Sequence, residues 1–180
     1  MSAPQLDVAL ARSQRDDELC LLEAVRIRGG ERLLFIECGD GWVAEEGWRR
    51  MVKGQVCGLD RSLRRIALAA RLRGVPGKLE FKTWDGATVP YPDARFDVAV
   101  LQHDVRRWPT SARVLREAGR VVRPGGDVYL TETRAPAAMQ GMPEWLPLVS
   151  QAGLVLHDVR AVGAGRVARI LRARVPEARA

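Results

Sequence analysis

Lysine is nearly absent from this 180-residue chain: Lys53, Lys78 and Lys82 are the only ones. Arginine therefore carries almost all the positive charge, in a total of 29 Lys+Arg against 22 Asp+Glu and a formal net charge of +7. The arginines are scattered, as in Arg49-Arg50, Arg64-Arg65, Arg106-Arg107 and Arg172/Arg174, with no block of like charge and no basic tail. Scatter of this kind reads first as a solvated surface and second as recognition of an anionic partner, for which guanidinium groups are suited. Cysteine is scarce as well. Cys20, Cys38 and Cys57 are odd in number and show no pairing pattern, which argues against a disulfide scaffold and against a zinc site. No structural metal is expected. No apolar run reaches the roughly 18 residues of a membrane span, and Asp7 and Arg12 interrupt the N-terminal stretch, unlike a signal peptide. A soluble, cytoplasmic setting is the expectation. Internal repeats, low-complexity tracts and linkers are also missing. What is present is globular composition, 47% hydrophobic and 28% charged, at the length of one domain. The expected organisation is a loose lead-in over 1–15 and a single domain over 16–180.

Along the chain, short apolar runs alternate with helical patterns. Asp16-Asp17 open a helix closed by Gly29-Gly30. Residues 32–37 read as a buried strand, 42–52 as a helix, 55–59 as a second strand ending at Asp60, and 63–73 as a helix capped by Ser62. Leu63, Ile66, Ala67 and Ala70 are expected on the buried face of that helix. Strands over 79–83 and 96–101 follow, then a helix after Thr110 with Val114, Leu115, Ala118 and Val121 on one face. Arg123-Pro124-Gly125-Gly126 reads as a turn before a strand over 128–132. A helix over 143–152 precedes two strands, 154–162 and 166–175, whose three-residue connection Gly163-Ala164-Gly165 forces an antiparallel hairpin. The expected fold is α/β: a mostly parallel seven-stranded sheet, helices on both faces, and a terminal antiparallel hairpin.

Ligands of such sheets bind at the C-terminal ends of the strands, where strand order reverses. Those ends carry Gly39, Asp40 and Gly41 after strand one, Asp60 after strand two, Asp85-Gly86 after strand three, and Gln102-His103-Asp104 after strand four. Two glycines permit close backbone approach to a ligand at a helix N-terminus, and a carboxylate after strand two can accept from ribose hydroxyls. Gly39-Asp40-Gly41-Trp42-Val43-Ala44 also fits the Gly-x-Gly-x-x-Ala pattern of dinucleotide oxidoreductases.

The joint order resembles the class I S-adenosylmethionine-dependent methyltransferases, with a Rossmann-like fold, and within them the ubiquinone/menaquinone-biosynthesis branch. Asp85-Gly86-Ala87-Thr88-Val89-Pro90-Tyr91-Pro92-Asp93-Ala94-Arg95-Phe96-Asp97 is similar to that family's Asp-Ala-x-x-Leu-Pro-Phe-Pro-Asp-x-x-Phe-Asp. Leu115 to Gly126 resembles its Leu-x-Glu-x-x-Arg-Val-Leu-Lys-Pro-Gly-Gly. The resemblance implies S-adenosyl-L-methionine as cofactor, with Gly39 and Gly41 beneath its methionine and ribose, Asp60 on the ribose hydroxyls and Arg61 beside the adenine. It implies Asp85 on the adenine amino group, Gly86 lending a backbone N–H, Trp84 stacking on the ring, and Leu101 and Gln102 near the methionine end. His103 and Asp104 are the candidate general bases, needed only where the acceptor must lose a proton.

One departure stands out. Aligning Gly39 and Gly41 as the last two glycines of the family's acid-x-Gly-x-Gly-x-Gly puts Glu37 at the first glycine and Phe35 at the acid. Glu37 either obstructs the cofactor or grips its ammonium group. Arg106-Arg107-Trp108 also stands where the family often has His-His-Phe. Methyl transfer to a small-molecule acceptor is the leading expectation. The alternative is a weak or inactive methyltransferase-like module completed by a partner subunit. Nucleic acid as partner has only weak support, because the basic residues lack interleaved aromatics.

Overall fold

The computed structural model describes residues 15–16, 18–102, 108–133, 145–161 and 167–177, with backbone only for 132–133, 161 and 167–169. Residues 1–14, Asp17, His103, Asp104, Arg106, Arg107, Pro143 and the 163–165 connection lie outside the described residues.

Seven strands form one sheet: β1 (Arg32–Ile36), β2 (Gln55–Asp60), β3 (Leu79–Thr83), β4 (Phe96–Leu101), β5 (Val122–Thr133), β6 (Val155–Ala161) and β7 (Val167–Arg174), in the order β3-β2-β1-β4-β5-β7-β6. Pairs among β1 to β5 are parallel, and β7 runs antiparallel between β5 and β6. β1 is sandwiched on both faces, which is why it is an unbroken apolar run rather than an alternating one. Leu33 and Phe35 pack with α1 (18–24), α2 (Trp42–Arg49) and Ile66 of α3 (Leu63–Arg73). Leu34 and Ile36 pack with α4 (Ser111–Val121) and α5 (Trp145–Gln151) on the other face.

The boundaries of α3, β3 and β4 coincide with the sequence pattern, and Val114, Leu115, Ala118 and Val121 of α4 are all fully buried. Four features differ. α1 ends at Ala24, short of the Gly29-Gly30 pair expected to close it. α2 ends at Arg49, short of Val52, which is exposed. On α3 only Ile66 and Ala69 are buried, while Leu63, Ala67 and Ala70 face solvent. That helix covers the edge of the sheet, where β3 has a neighbour on one side only, so a stripe of two side chains is all it can bury. Finally, Arg123 to Gly126 does not end an element. Phe96 pairs with Val122 and Val98 with Asp127, so these residues bulge out of a continuous β5. Gly125 N–H and Gly126 C=O then bond Val175, which fastens the bulge to the chain end after β7.

The two long motifs of the sequence turn out to be partners. Glu117 accepts from the Val89 N–H at 3.0 Å and from Arg120. Arg120 in turn donates to the Val89 and Tyr91 carbonyls and to Asp93. The Glu-x-x-Arg of α4 thereby pins the Val89–Asp93 loop, which carries the chain from the site back to β4. Arg120, and then the Val89 N–H, hold the Glu117 carboxyl below its ordinary value against the cost of burial. A depressed folded-state value means that this contribution is complete above the unfolded glutamate pKa, about 4.3, and is lost as pH falls through the lower folded value. Glu117→Gln is therefore expected to melt below wild type at neutral pH, with the gap closing below about pH 4. Thermal melts at stepped pH check this, and a gap independent of pH would refute it.

Candidate functional site

β1 and β4 are neighbours although β2 and β3 intervene in sequence, so the strand order reverses at their C-terminal ends. There the backbone of β1 leaves the sheet in a left-handed turn. Glu37 has φ 59°, an unusual conformation for a residue with a side chain. This explains the glycine that the family carries there: the turn wants φ > 0, and Glu37 adopts it under strain. Cys38 N–H still reaches the Leu59 carbonyl at 2.9 Å, keeping the loop beside β2.

Gly39 and Gly41 also have positive φ, and Gly41 immediately precedes α2. The space beside Gly41 is filled by protein, since a Cβ there would lie 2.6 Å from the Phe81 ring. A Cβ on Gly39 would meet nothing within 4 Å, so the open approach to the loop is at Gly39. Asp40 turns toward protein. It accepts from Trp42 N–H at 3.1 Å, opening α2, and pairs with Arg15 at 2.8 Å and Arg73 at 3.5 Å. Burial works against its charge, but Arg15, the Trp42 N–H and Arg73 outweigh it and hold its carboxyl below the usual range. Arg15 also lies over the Trp42 ring, and Arg73 donates to the Asp40 carbonyl and pairs with Glu45. Arg15 and Arg73 escaped the sequence reading, because partners 25 and 33 residues away leave no local spacing signal.

Asp60 is 1% exposed. One oxygen accepts from Gly39 N–H at 3.0 Å and the other from Ser62 N–H at 2.8 Å, with Arg65 3.6 Å away. The carboxylate thus ties the glycine loop to the end of β2 and starts α3, for which Ser62 is the cap. Asp85 is exposed and closes its own loop by accepting from the Ala87 and Thr88 N–H groups, which with Thr88 foremost hold its pKa below the ordinary value. Thr110 donates to the Gly86 carbonyl and Arg113 to the Thr88 hydroxyl, docking that loop on the start of α4.

Between these loops lies a cluster that sequence spacing did not reveal. Glu37, 4% exposed, accepts from Arg61 Nε at 2.9 Å, from a second Arg61 nitrogen at 3.4 Å, and from the Trp84 indole N–H at 3.1 Å. Arg61 runs across Gly86, where an added Cβ would come within 2.8 Å of its Cδ, and reaches the face of Trp108 at 5.3 Å. Trp84 is buried beside the core instead of standing open as a stacking platform. Leu101 is fully buried, and the Gln102 side-chain oxygen is buried with no hydrogen-bond partner among the described residues. Cys38 is buried next to Asp60; burial first, and then that charge, push its thiol far above the ordinary range. So Glu37, Gly39, Asp40, Gly41, Asp60, Arg61, Trp84, Asp85, Gly86, Leu101 and Gln102 all sit on β1, β2, β3 and β4 or the loops that leave them, whereas the candidate bases His103 and Asp104 lie outside the described residues. Among the described residues no cluster of His, Cys, Asp and Glu could hold a metal ion, and no helix is long and apolar enough to cross a membrane.

The family model described as "Methyltransferase domain" matches residues 34–130, just over half of the chain. A fatty-acid O-methyltransferase of Mycolicibacterium smegmatis is 31% identical over 133 residues, 74% of this chain and 47% of that one. A 2-phytyl-1,4-naphthoquinone methyltransferase of Synechococcus elongatus is 34% identical over 112 residues, 59% of this chain and 48% of that one. The chain thus spans about half the length of these curated relatives. Among solved structures, the complex between the Haloferax volcanii Trm112 methyltransferase activator and a methyltransferase matches with a TM-score of 0.80 at 15% identity, covering 97% of this chain and 96% of that one. At that identity the likeness is one of fold.

Proposed function

This chain belongs to the methyltransferase domain family, and from that premise we propose that it transfers a methyl group from S-adenosylmethionine to a small-molecule acceptor. The observation that carries the reading is the convergence of the Gly39–Gly41 loop, Asp60 and the Asp85-Gly86 turn at the reversal point of the sheet. Two features fit the methionine half of that cofactor: open space beside Gly39, and the buried Gln102 oxygen just after β4, which has no hydrogen-bond partner among the described residues. When bound, S-adenosylmethionine supplies an electrophilic methyl group, so the protein's share is alignment and exclusion of water. Asp60 holds the glycine loop in place, the backbone at Gly39 gives the approach, and Gln102 offers an acceptor toward the methionine end. His103 or Asp104 would take a proton from an acceptor that has one to lose.

Isothermal titration with S-adenosylhomocysteine tests the reading. Saturable one-site binding is expected, and no heat up to about 1 mM ligand, a binding free energy of only about −4 kcal/mol, would sink it. A second reading has a specific observation behind it. Glu37 and Arg61 fill the space in which this reading would put the nucleoside, as in a module that depends on a partner subunit to become competent. The activator complex matched above pairs a methyltransferase fold with such a partner. Binding that appears only in the presence of a second protein would favour this reading.

A further inference from the structure

We infer that Arg61 is an internal competitor at this site: its side chain occupies the space proposed for the nucleoside, with Glu37 as its anchor, and a nucleoside enters by displacing it. The inference rests on the proposed cofactor reading and goes beyond it by naming what the cofactor must compete with.

The geometry is specific. Arg61 follows Asp60 at the end of β2 and crosses to Gly86 after β3, spanning the two loops between which the resemblance places the adenosine. Its guanidinium meets both oxygens of Glu37 on one side and the Trp108 ring on the other. The pair is asymmetric. Glu37 has a side chain only 5% exposed, whereas that of Arg61 is 53% exposed. When the guanidinium leaves, Glu37 keeps the Trp84 indole N–H, so the anchor stays partnered, while the half-exposed guanidinium regains water. The element free to move is therefore Arg61.

Two departures from the family pattern fit one another. Where the family carries glycine, this chain has Glu37, which supplies the anchor. Where the family's motif reads Asp-Ala, this chain has Asp85-Gly86, and the missing methyl is what lets the Arg61 stem pass: a Cβ there would lie 2.8 Å from Cδ. A glutamate alone would leave an unpaired buried charge, and a glycine alone would leave a gap. Together they make a seat for Arg61.

Titration of wild type, Arg61→Ala and Glu37→Gln with S-adenosylhomocysteine and with 5′-methylthioadenosine tests this. Removing an internal competitor that holds the site shut nine-tenths of the time raises affinity about tenfold. Both variants are expected to gain by about that factor. The gain should be equal for the two ligands, because they share the nucleoside and differ at the methionine end. Glu37→Gln preserves shape and the Trp84 bond, so it decides the matter even where Arg61→Ala fails to fold. Unchanged or weaker binding by the folded variants while wild type binds overturns the inference alone, and makes Arg61 an ordinary ligand contact. Absence of binding by all three proteins at millimolar ligand overturns the cofactor reading and the inference with it. A gain for S-adenosylhomocysteine but not for 5′-methylthioadenosine overturns the placement at the nucleoside half.

Discussion

Asp60→Ala is expected to lower the melting temperature by about 5–15 °C, before any question of ligand arises. Two backbone N–H groups, of Gly39 and Ser62, lose their acceptor in a place with 1% exposure. Both donors belong to half-buried residues, so each one left unmade costs toward the lower end of about 1–3 kcal/mol, and for a domain of this size each kcal/mol is worth about 2–4 °C. The resemblance alone assigns Asp60 to the ribose and leads one to expect a loss of affinity at unchanged stability. The structure gives this carboxylate a prior task, since the loop that would carry the cofactor hangs from it. Thermal unfolding of Asp60→Ala beside Asp60→Asn separates the two roles. The asparagine keeps the volume and one acceptor oxygen, so it should fall in between. A variant that melts with wild type and merely loses ligand affinity would show that the hydrogen bonds to Gly39 and Ser62 carry no weight.

Glu37→Gly is expected to bind S-adenosylhomocysteine about tenfold more tightly, by the same removal of an internal competitor. Its stability should change little, because two effects oppose. Releasing a side chain from φ 59° recovers about 1–2 kcal/mol. Leaving the buried Trp84 indole N–H without its acceptor costs about 1–3 kcal/mol. The glutamate was open to two readings from sequence, an obstruction or a grip on the cofactor's ammonium. Its carboxylate is found on Arg61 and Trp84, toward β2 and β3, the side on which the resemblance puts the nucleoside. Weaker binding by the glycine variant would restore the grip on the cofactor as the better account.

Periodicity located the strands because parallel strands buried on both faces cannot be anything but apolar, and it located α4 because a helix over the middle of the sheet buries a full stripe. It failed where position in the sheet decides. Nothing in Leu63 to Arg73 announces that β3 is an edge, so a four-residue face was expected where Ile66 and Ala69 suffice. Arg123 to Gly126 has the composition of a turn, yet the bonds to Val175 absorb it into β5 as a bulge. The loop residues were legible as a set, since each lies at a strand's C-terminal end. Their partners were not. That Asp60 spends its oxygens on backbone, or that Glu37 meets Arg61 across 24 positions, is a fact about side-chain reach, which no spacing rule carries.

The cysteine between Glu37 and Gly39 gives this loop a chemical clock. Shut against β2, with its thiol held protonated by burial and by Asp60, Cys38 offers no thiolate to an alkylating reagent or to an oxidant. Its Sγ lies 2.8 Å from where a Cβ on Gly58 would stand, so a reagent finds no room beside it either. Modification can begin only when the loop swings away from the strand, and its rate then counts those excursions. The residue that is inert in the closed protein is the one whose reactivity would time each opening.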